Sequence, residues 1–503
     1  MAMKRNNEKG TAMLFAIILV LVLSVMAASM MFLSQSETWG SANYRMMTQA
    51  RYGAEAGVHA AANFLIYSYA PPASMAGYNM VVPVPASCGD TPCVTDGAGN
   101  PIILSSLSDV PANYPDGAQQ TAFSNATNSS VTAGGPTVNY TAAATLLSQV
   151  QITPYGSTAP VMVQTWKITA HGDITNARSA EAEVSAILET PKTPAFGYAA
   201  FAKNKGCAAL SFTGNGTTNS YDSGALPLSG GVASFPTGFT FNNYGGNVGT
   251  NGNQTDSGSG VVINGTLSTP DVTVGTCSAG NVTAFTGSST EVTGGIIQMP
   301  APFSPAAPTI PAPGTTDVTI TNTSQTLAPG NYGNISLSGA GNNGSGTGNG
   351  NANNNVTILT LTPGTYNINS ISESGQAVIA IGPDPNTGLY GPVIINVTGT
   401  GQTIPIDISG QGLSNPTLDP SLLQFNYAGT GQINIVGQGA SAAVIYAPNA
   451  TASFKGNGNF YGSVIAANIT DVGNGAIHYD LKLKKKLYVV GNPTLNSFTW
   501  SKF

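Results

Sequence analysis

The stretch KGTAMLFAIILVLVLSVMAASMMFLSQSE, from Lys9 to Glu37, holds the only long apolar run of the chain. No ionisable side chain occurs from Thr11 to Ser36, and a helix over that span would extend ~39 Å. This is more than the ~30 Å hydrocarbon thickness of a bilayer, so the run can cross one with some tilt. Three interpretations remain open: a cleaved secretory signal, a plain membrane anchor, or the stem of a subunit that enters first a membrane and then a fibre.

The residues before the apolar run favour export of everything after it. The leader MAMKRNNEKG carries Lys4, Arg5 and Lys9 against Glu8. A cationic segment directly before an apolar helix stays on the cytoplasmic side. A secretory signal has a shorter apolar core of about 7–15 residues, which makes the first interpretation the weakest of the three.

The helical pattern continues beyond the apolar run. Apolar residues recur there at steps of three or four, and Pro71 and Pro72 then provide a stop. The recurring residues are Met47, Ala50, Ala54, Val58, Ala61 and Leu65. The sequence therefore predicts one helix from about residue 11 to 68, roughly 85 Å long, half apolar and half amphipathic.

The composition of the chain after the stem predicts β structure with many turns. Only 8% of the 503 residues are charged, while glycine alone contributes 61. Disordered chains combine low apolarity with high charge, and this chain has neither property. Its Thr, Val, Ile, Asn and Gly content is typical of many short strands and turns. The expected fold class is α+β to mainly β.

Charge is distributed unevenly along the chain. No Lys or Arg occurs between Gly206 and Phe454, a stretch that contains nine Asp or Glu residues. A surface without cations cannot neutralise phosphates, so we expect no nucleic-acid partner for this region.

The four cysteines indicate an oxidising compartment. Cys88 and Cys93 could close the short loop CGDTPC, and Cys207 with Cys277 could close a much longer one. An even number of cysteines fits disulfides in an extracytoplasmic protein. Four free thiols remain the alternative, and a zinc site would need closer spacing and His partners.

The first 65 residues or so resemble the N-terminus of type IV pilin-like proteins, most closely PilX-type pilus-assembly minor pilins. The matching features are Lys9-Gly10 at the end of the leader, the apolar helix, and GAEAGV from Gly53 to Val58. The resemblance implies that a prepilin peptidase cuts after Gly10 and that the new N-terminal residue, Thr11, is methylated. It also implies a head in which an antiparallel sheet packs on the stem helix.

One position departs from the pilin pattern. Most pilins carry Glu at the fifth mature position, where this chain has Phe15. A carboxylate buried in a membrane is costly without a partner, so its absence suggests that this subunit does not need that contact. By analogy with minor pilins and pseudopilins that lack this Glu, we expect a priming or tip subunit rather than the main shaft protein.

Three further stem residues are candidates for packing. Gly53 and Gly57 form a small-xxx-small pair that lets helices approach closely. Glu55 follows Arg51 by four residues, a spacing that permits a helical ion pair. We expect these residues, with Phe15, to serve stem packing rather than catalysis.

The sequence divides into six segments. After the leader (1–10) and the stem (11–68) comes a pilin-like α+β head over residues 69–190, with strands around 161–170 and 179–188. A β-rich region, 191–298, precedes a Pro-rich linker at 299–314 and a β-solenoid-like domain at 315–503.

Short strands with Asn and Gly at the corners favour a parallel β-solenoid in the last segment, with a β-sandwich as the alternative. Residues 442–481, AAVIYAPNATASFKGNGNFYGSVIAANITDVGNGAIHYDL, resemble an uncharacterised module that follows PilX-type N-termini in bacterial surface proteins. That module implies no activity.

We expect no enzyme. A polysaccharide lyase needs a cation beside its acidic substrate, and residues 206–454 have none. The carboxylates that a glycoside hydrolase needs are present but scattered. We expect no cofactor and no metal site, because no regular acidic repeat occurs; calcium, which suits the Asp and Asn oxygens of the turns, stays open as the alternative.

The function expected from these features is that of a minor pilin-like subunit of a type IV pilus or related secretion machine. It would act in assembly or priming and present a large tip or surface domain for adhesion or aggregation.

Expected partners are other pilins through the stem, the prepilin peptidase, the inner membrane before assembly, and a surface glycan or protein receptor. The expected location is a single pass of the inner membrane with a cytoplasmic N-terminus, then the pilus or cell surface. The rivals are a membrane-tethered β-helix carbohydrate-active enzyme and a structural surface protein.

Overall fold

A computed structural model describes residues 9–80, 88, 92–132, 137–157, 159–174, 179–339, 356–436 and 440–502. The chain forms two compact units. The unit that we name the head contains Met1–Ile152, Pro160–Pro191 and Val490–Phe503. The unit that we name the body contains Thr153–Ala159 and Lys192–Val489. The leader residues 1–8 lie outside the described residues.

Two α-helices lie within the described residues of the head. Helix α1 runs without a break from Lys9 to Tyr67, 59 residues, and agrees with the long helix expected from the sequence. Helix α2 is Gly117–Thr127, and the Asp116 side chain caps it by accepting hydrogen bonds from the N–H groups of Ala118 and Gln119.

The first seven strands also belong to the head. They are β1 (Asn79–Met80), β2 (Val94–Thr95), β3 (Ile103–Ser105), β4 (Ser129–Val131), β5 (Val138–Ile152), β6 (Val161–Ile174) and β7 (Ala180–Glu189). Strands β5, β6 and β7 pair antiparallel in sequence order. Alternate residues on one face of this sheet are buried against α1, and this sheet face and the helix form the core of the head.

In the described part of the chain, the body contains the next 29 strands, most of them short. Those in its first part are β8 (Lys192–Pro194), β9 (Ala200–Ala202), β10 (Leu210–Phe212), β11 (Thr217–Tyr221), β12 (Leu228–Ser229), β13 (Val232–Ala233), β14 (Val248–Thr250), β15 (Gln254–Asp256), β16 (Val262–Ile263), β17 (Leu267–Thr269), β18 (Phe285–Thr286) and β19 (Ile296–Gln298). Those in its middle are β20 (Val318–Thr321), β21 (Ser324–Leu327), β22 (Gly330–Asn331), β23 (Asn334–Ser338), β24 (Thr357–Leu361), β25 (Gly364–Ile368), β26 (Ser370–Ser374), β27 (Ala377–Ile381) and β28 (Val393–Val397). The last are β29 (Ile406–Ile408), β30 (Gly412–Ser414), β31 (Leu423–Tyr427), β32 (Gln432–Val436), β33 (Ala440–Gly456), β34 (Asn459–Gly473), β35 (Ala476–Asp480) and β36 (Tyr488–Val490).

Parallel pairing dominates the body. One ladder, which we name ladder A, runs through β20, β23, β26, β29, β32, β33, β34, β10, β15 and β18. A second runs through β22, β25, β28, β31, β33, β34, β9, β14, β17 and β19. A third and shorter one joins β21, β24, β27 and β30. This arrangement agrees with a mainly β class and a parallel sheet.

The order of strands in these ladders differs from their order in the chain. Strands β9 and β10 pair with β34, and β11 pairs with β35, although about 260 residues separate the partners. The two β-rich segments on either side of the Pro-rich stretch therefore share the same ladders.

The Pro-rich stretch itself contacts several strands on its way. The N–H of Met299 donates to the carbonyl of Thr269 at 2.7 Å, and the Tyr446 hydroxyl donates to the carbonyl of Ala306 at 2.7 Å. Further along, the N–H of Gly333 donates to the carbonyl of Thr316 at 2.7 Å. The stretch thus passes from the β17 region across β33 to the β23 region.

The main core of the body is a continuous cluster of apolar side chains that point inward from the ladders, and a smaller cluster surrounds Tyr221. In ladder A, one inward column reads Ile320, Leu337, Glu373, Ile408, Ile435, Phe454, Asp471, Phe212 and Asp256. Three carboxyl groups therefore interrupt an otherwise apolar column. Glu373 is 1% exposed and Asp471 is 3% exposed.

A row of asparagines lines the outer side of the second ladder. The Nδ2 group of each asparagine donates a hydrogen bond to the Oδ1 atom of the next one. The distances are 3.0 Å from Asn426 to Asn396, 2.9 Å from Asn396 to Asn367 and 2.8 Å from Asn367 to Asn331. The Tyr155 hydroxyl completes the row by donating to Asn426 Oδ1 at 2.7 Å. We name this chain of bonds the asparagine row.

The last strand, β37 (Thr494–Lys502), corrects one domain boundary. The sequence analysis placed residues 315–503 in one solenoid-like domain, but β37 pairs antiparallel with β7 in the head, with Thr494 opposite Glu189. Residues 490–503 accordingly belong to the head. The main part of the body, residues 192–489, is an insertion between two neighbouring strands of the head sheet.

Candidate functional site

The apolar half of α1 is the most distinctive functional feature of the head. Every side chain from Thr11 to Gly40 is exposed, including Phe15, which is 71% exposed. Among the described residues this is the one helix whose length and apolar character suit a membrane span, with a mean hydropathy of 2.7 in its best window. A fully exposed apolar helix is costly in water, so this half of α1 requires lipid or protein around it.

The other half of α1 packs on the head sheet. Ala50, Ala54, Val58 and Ala61 are fully buried, and Leu65 is 8% exposed. These are five of the six residues whose spacing predicted the helix. One continuous helix therefore has an unpartnered apolar half and a half that is fixed to its own head.

Glycines make the contact between helix and sheet unusually close. A Cβ on Gly53 would lie 2.3 Å from Val138 Cγ1, and one on Gly57 would lie 2.9 Å from Ala170 Cβ. Across the interface, a Cβ on Gly172 would lie 2.1 Å from the carbonyl oxygen of Ala50. Gly53 and Gly57 thus pack against the sheet of their own chain, whereas the sequence suggested contact with other helices. Gly172 was not singled out because a lone glycine in a strand pattern does not reveal what approaches it.

The expected ion pair of the stem is present. Arg51 Nε lies 2.8 Å from Glu55 Oε1, and this hydrogen bond raises the pKa of Arg51. The Arg51 guanidinium also lies 5.8 Å from the ring centroid of Trp500 in β37. Trp500 is 63% exposed, so the pair is a surface contact of small energy.

The processing residues lie at the start of the helix. Gly10 falls within α1, and Thr11 is the first residue with a described side chain. Cleavage and methylation at these positions stay predictions.

Both expected disulfides are present. Cys88 is bonded to Cys93 in the head, and Cys207 to Cys277 in the body. The second closes a loop of 70 residues, which by chain entropy stabilises the fold by about 4 kcal/mol.

Two buried carboxylates of the body, Asp480 and Asp419, accept hydrogen bonds from backbone N–H groups. Asp480 is fully buried, and both its oxygens accept hydrogen bonds from Ser223, from the hydroxyl at 2.6 Å and the N–H at 3.0 Å. Asp419 caps a short 3-10 turn through the N–H of Ser421 and pairs with Lys482 Nζ at 2.8 Å. Burial raises the pKa of Asp480 to about 6.

His478 is enclosed by aromatic rings. Its ring stacks on Phe241 with centroids 3.8 Å apart and on Tyr461 at 4.7 Å, and its Nδ1 is hydrogen-bonded to Asn219. Burial lowers the pKa of His478 to about 3. No group of three or more His, Cys, Asp or Glu side chains in the described part of the chain is placed to hold a metal ion.

A family model for a domain of unknown function, DUF7305, matches residues 346–486, which include β24 to β35 of the body. No curated protein matches the chain. Among solved structures, the chain is similar to the crystal structure of the competence-associated pilin ComZ from Thermus thermophilus, with 12% identity, 91% of this chain and 98% of that chain covered, and a TM-score of 0.28. A TM-score of 0.28 is too low to support a shared fold or function.

Proposed function

We propose that this protein is a minor pilin-like subunit of a type IV pilus or related secretion machine, with its body presented at the tip or surface for adhesion or aggregation. The observation that carries the proposal is the division of α1 into an exposed apolar half and a half packed on an antiparallel sheet. Such a helix can lie in lipid before assembly and among other stems afterwards, because both surroundings are apolar.

In this proposal a prepilin peptidase removes the leader after Gly10, and Thr11 becomes the methylated first residue. The protein crosses the inner membrane once, with a cytoplasmic N-terminus, and later reaches the pilus or cell surface. Phe15 takes the place of the usual Glu, so the subunit does not offer the carboxylate that pairs with a neighbouring N-terminus. This supports a priming or tip position, where that contact is dispensable.

The body is proposed to be a β-solenoid without catalytic activity or a cofactor. Parallel pairing with a repeating register supports a solenoid over a β-sandwich, because sandwiches are built from antiparallel sheets. The rival enzyme would need facing carboxylates in a cleft. Asp480 and Asp419 instead accept hydrogen bonds from the N–H groups of Lys482 and Ser421, which close short turns.

The stem can be tested by mass spectrometry of native protein. The expected N-terminal residue is a methylated Thr11, and replacing Gly10 with Val should leave the leader attached. Gly40→Val is a matched control, because a side chain there would meet no atom within 4 Å and Gly40 lies outside the leader. Native protein that still begins at Met1, or protein that never co-purifies with filaments, would contradict the proposal.

A further inference from the structure

The outer face of ladder A carries one unbroken column of short polar side chains. Its members are adjacent in the parallel register from one strand to the next through all ten strands. We name it the hydroxyl column, and in spatial order it is Thr319, Ser336, Ser372, Asp407, Asn434, Ser453, Thr470, Ser211, Thr255 and Thr286.

The column points away from the core. Its strand neighbours on either side, such as Ile335 and Leu337 around Ser336, are each 1% exposed and point inward. Thr319 and Ser336 are exposed, and most other members are half-buried. Ser453 and Ser211, near the middle, are 6% and 8% exposed. This degree of exposure leaves the side chains accessible along most of the column.

The spacing of the column is set by the backbone. Neighbouring parallel strands lie ~4.8 Å apart, so ten strands present a polar group at regular steps over about 43 Å. Ser and Thr hydroxyls both donate and accept hydrogen bonds, and an Asn amide does the same with two groups. Every step of the column except Asp407, whose carboxylate only accepts, can both donate and accept hydrogen bonds.

Charge limits what the column can bind. Asp407 is its one ionisable member, and no Lys or Arg occurs between Gly206 and Phe454. Outside that interval the nearest cation on this face is Lys455, which follows Phe454 in β33. An anionic polymer would find Lys455 as a single matching cation beside ten strands, whereas an uncharged polymer would meet no repulsion.

We propose that the hydroxyl column binds a neutral polysaccharide whose chain runs along ladder A. Sugar hydroxyls also donate and accept, and a polymer repeats them at regular steps, as the column repeats its own. The proposal rests on the adhesive role proposed above for the body and names its ligand class.

Binding of this kind depends on the length of the polymer. A single hydrogen bond that replaces one to water contributes little, and the column has no aromatic platform to add stacking. Affinity must come from many adjacent contacts made by one chain. Polymers should therefore bind, and mono- or disaccharides should neither bind measurably nor compete.

The test is affinity electrophoresis of the full-length protein in detergent. Native gels contain dextran, hydroxyethylcellulose, galactomannan or soluble starch, and further gels contain the anionic polymers alginate and pectate. At least one neutral polymer should retard the protein. The double variant Ser336→Lys/Ser372→Lys should bind that polymer roughly tenfold more weakly, because two adjacent steps are lost and long side chains cover their neighbours.

Two sets of variants separate the column from general effects. Thr326→Lys/Thr360→Lys adds the same charge at two register neighbours on the third ladder, in β21 and β24, and should bind as the native protein does. Ser336→Thr/Ser372→Thr retains both hydroxyls and should keep at least half of the retardation. Thermal unfolding of each variant shows whether the body is still folded.

Three outcomes would overturn the proposal: no retardation by any neutral polymer, retardation unchanged in the folded lysine variant of the column, or retardation only by alginate or pectate. Self-association of the protein without polymer, lost in the same variant, would assign the column to a second copy instead. None of these outcomes involves leader processing or filament co-purification, so failure here leaves the pilin-like role to its own test.

Discussion

Gly172 lies directly against the backbone of Ala50, with the place of a Cβ on Gly172 only 2.1 Å from the Ala50 carbonyl oxygen. The Cβ position is set by the backbone of β6, and the carbonyl oxygen is part of the backbone of α1. Neither can therefore move aside without moving its whole strand or helix. This contact fixes the distance between the stem and the sheet, and through it the head holds the helix that is proposed to enter the fibre.

Gly172→Ala should therefore destabilise the head by about 1–3 kcal/mol, as expected for overpacking against a rigid neighbour. Chemical denaturation followed by tryptophan fluorescence measures this change, because Trp166 is the buried one of the three tryptophans and its surroundings change on unfolding. Gly40→Ala is the matched control, because its added methyl group meets nothing within 4 Å and alanine favours a helix by about 1 kcal/mol over glycine. Equal stability of the two variants would show that the close approach is absent in solution.

The buried carboxyl groups of the body predict an unusual dependence of stability on pH. Burial raises the pKa of Glu373 to about 8 and the pKa values of Asp471 and Asp256 to about 7. Ordinary values are about 4, so each folded pKa lies above its unfolded value. Their contribution is complete at low pH and is lost as pH rises through 8.

Body stability should thus fall between pH 6.5 and 8.5, measured as the midpoint of denaturant unfolding. Below pH 6.5 the lowered pKa of His478 acts with the opposite sign, because this histidine takes up a proton in the unfolded state and stays neutral when it is buried. Glu373→Gln should flatten the slope in the upper window, since it removes the carboxyl that titrates highest. Asp109→Asn, an exposed carboxyl in the head, should leave the slope unchanged. A body whose stability is flat or rising from pH 6.5 to 8.5 would contradict the burial of these carboxyl groups in their neutral form.

If the asparagine row is formed, replacing one of its side chains should lower the free energy of unfolding of the body. Tyr155→Phe removes the hydroxyl that donates to Asn426 Oδ1 and should cost about 1 kcal/mol of unfolding free energy. Asn396→Asp should cost more at neutral pH, because a carboxylate has no N–H for Asn367 Oδ1 and would stand oxygen to oxygen with it.

Thermal unfolding of the body measures both effects. Thr398→Ala serves as a comparison on the strand end beside Asn396, because its hydroxyl is buried without a hydrogen-bond partner among the described residues. It should be neutral or slightly stabilising. If Asn396→Asp is as stable as the native protein below and above pH 5, the row does not exist as described.

How much of this structure can be predicted from the sequence depends on how far apart in the chain the contacting residues lie. The stem was predictable because Ala50, Ala54 and Val58 repeat within one helix, and the observed helix, Lys9–Tyr67, differs by only two residues at its start and one at its end. The strands Val161–Ile174 and Ala180–Glu189 were likewise visible as local alternation.

Pairing between distant segments was not predictable. Thr494 pairs with Glu189 across 305 residues of sequence, and Phe201 lies beside Ile465. No local pattern records such partners, because one strand edge fits many others. Buried carboxyls such as Glu373 were missed for a related reason. A charged residue normally lies at the surface, so the sequence did not suggest that Glu373 takes an inward position in the alternation of its strand.

The insertion of the body between β7 and β37 leads to the last prediction. The chain leaves and re-enters the head at neighbouring points, since the N–H of Gly491 donates to the carbonyl of Pro191 at 2.9 Å. A domain inserted between adjacent strands can be replaced by a short turn when its ends are this close. A chain that begins at Glu37, with residues 192–489 replaced by Asn-Gly, should fold as an isolated head.

Near-ultraviolet circular dichroism of Trp166 and a cooperative thermal transition measure the folding of this shortened head. Adding Gly172→Ala to it should lower the transition as in the full chain, which shows that the same contact between helix and sheet has formed. A shortened head that aggregates or melts without cooperativity, while the full chain does not, would mean that the head sheet needs the body to bring β7 and β37 together. Independent folding would instead show that the head can hold the stem whatever is inserted between these strands.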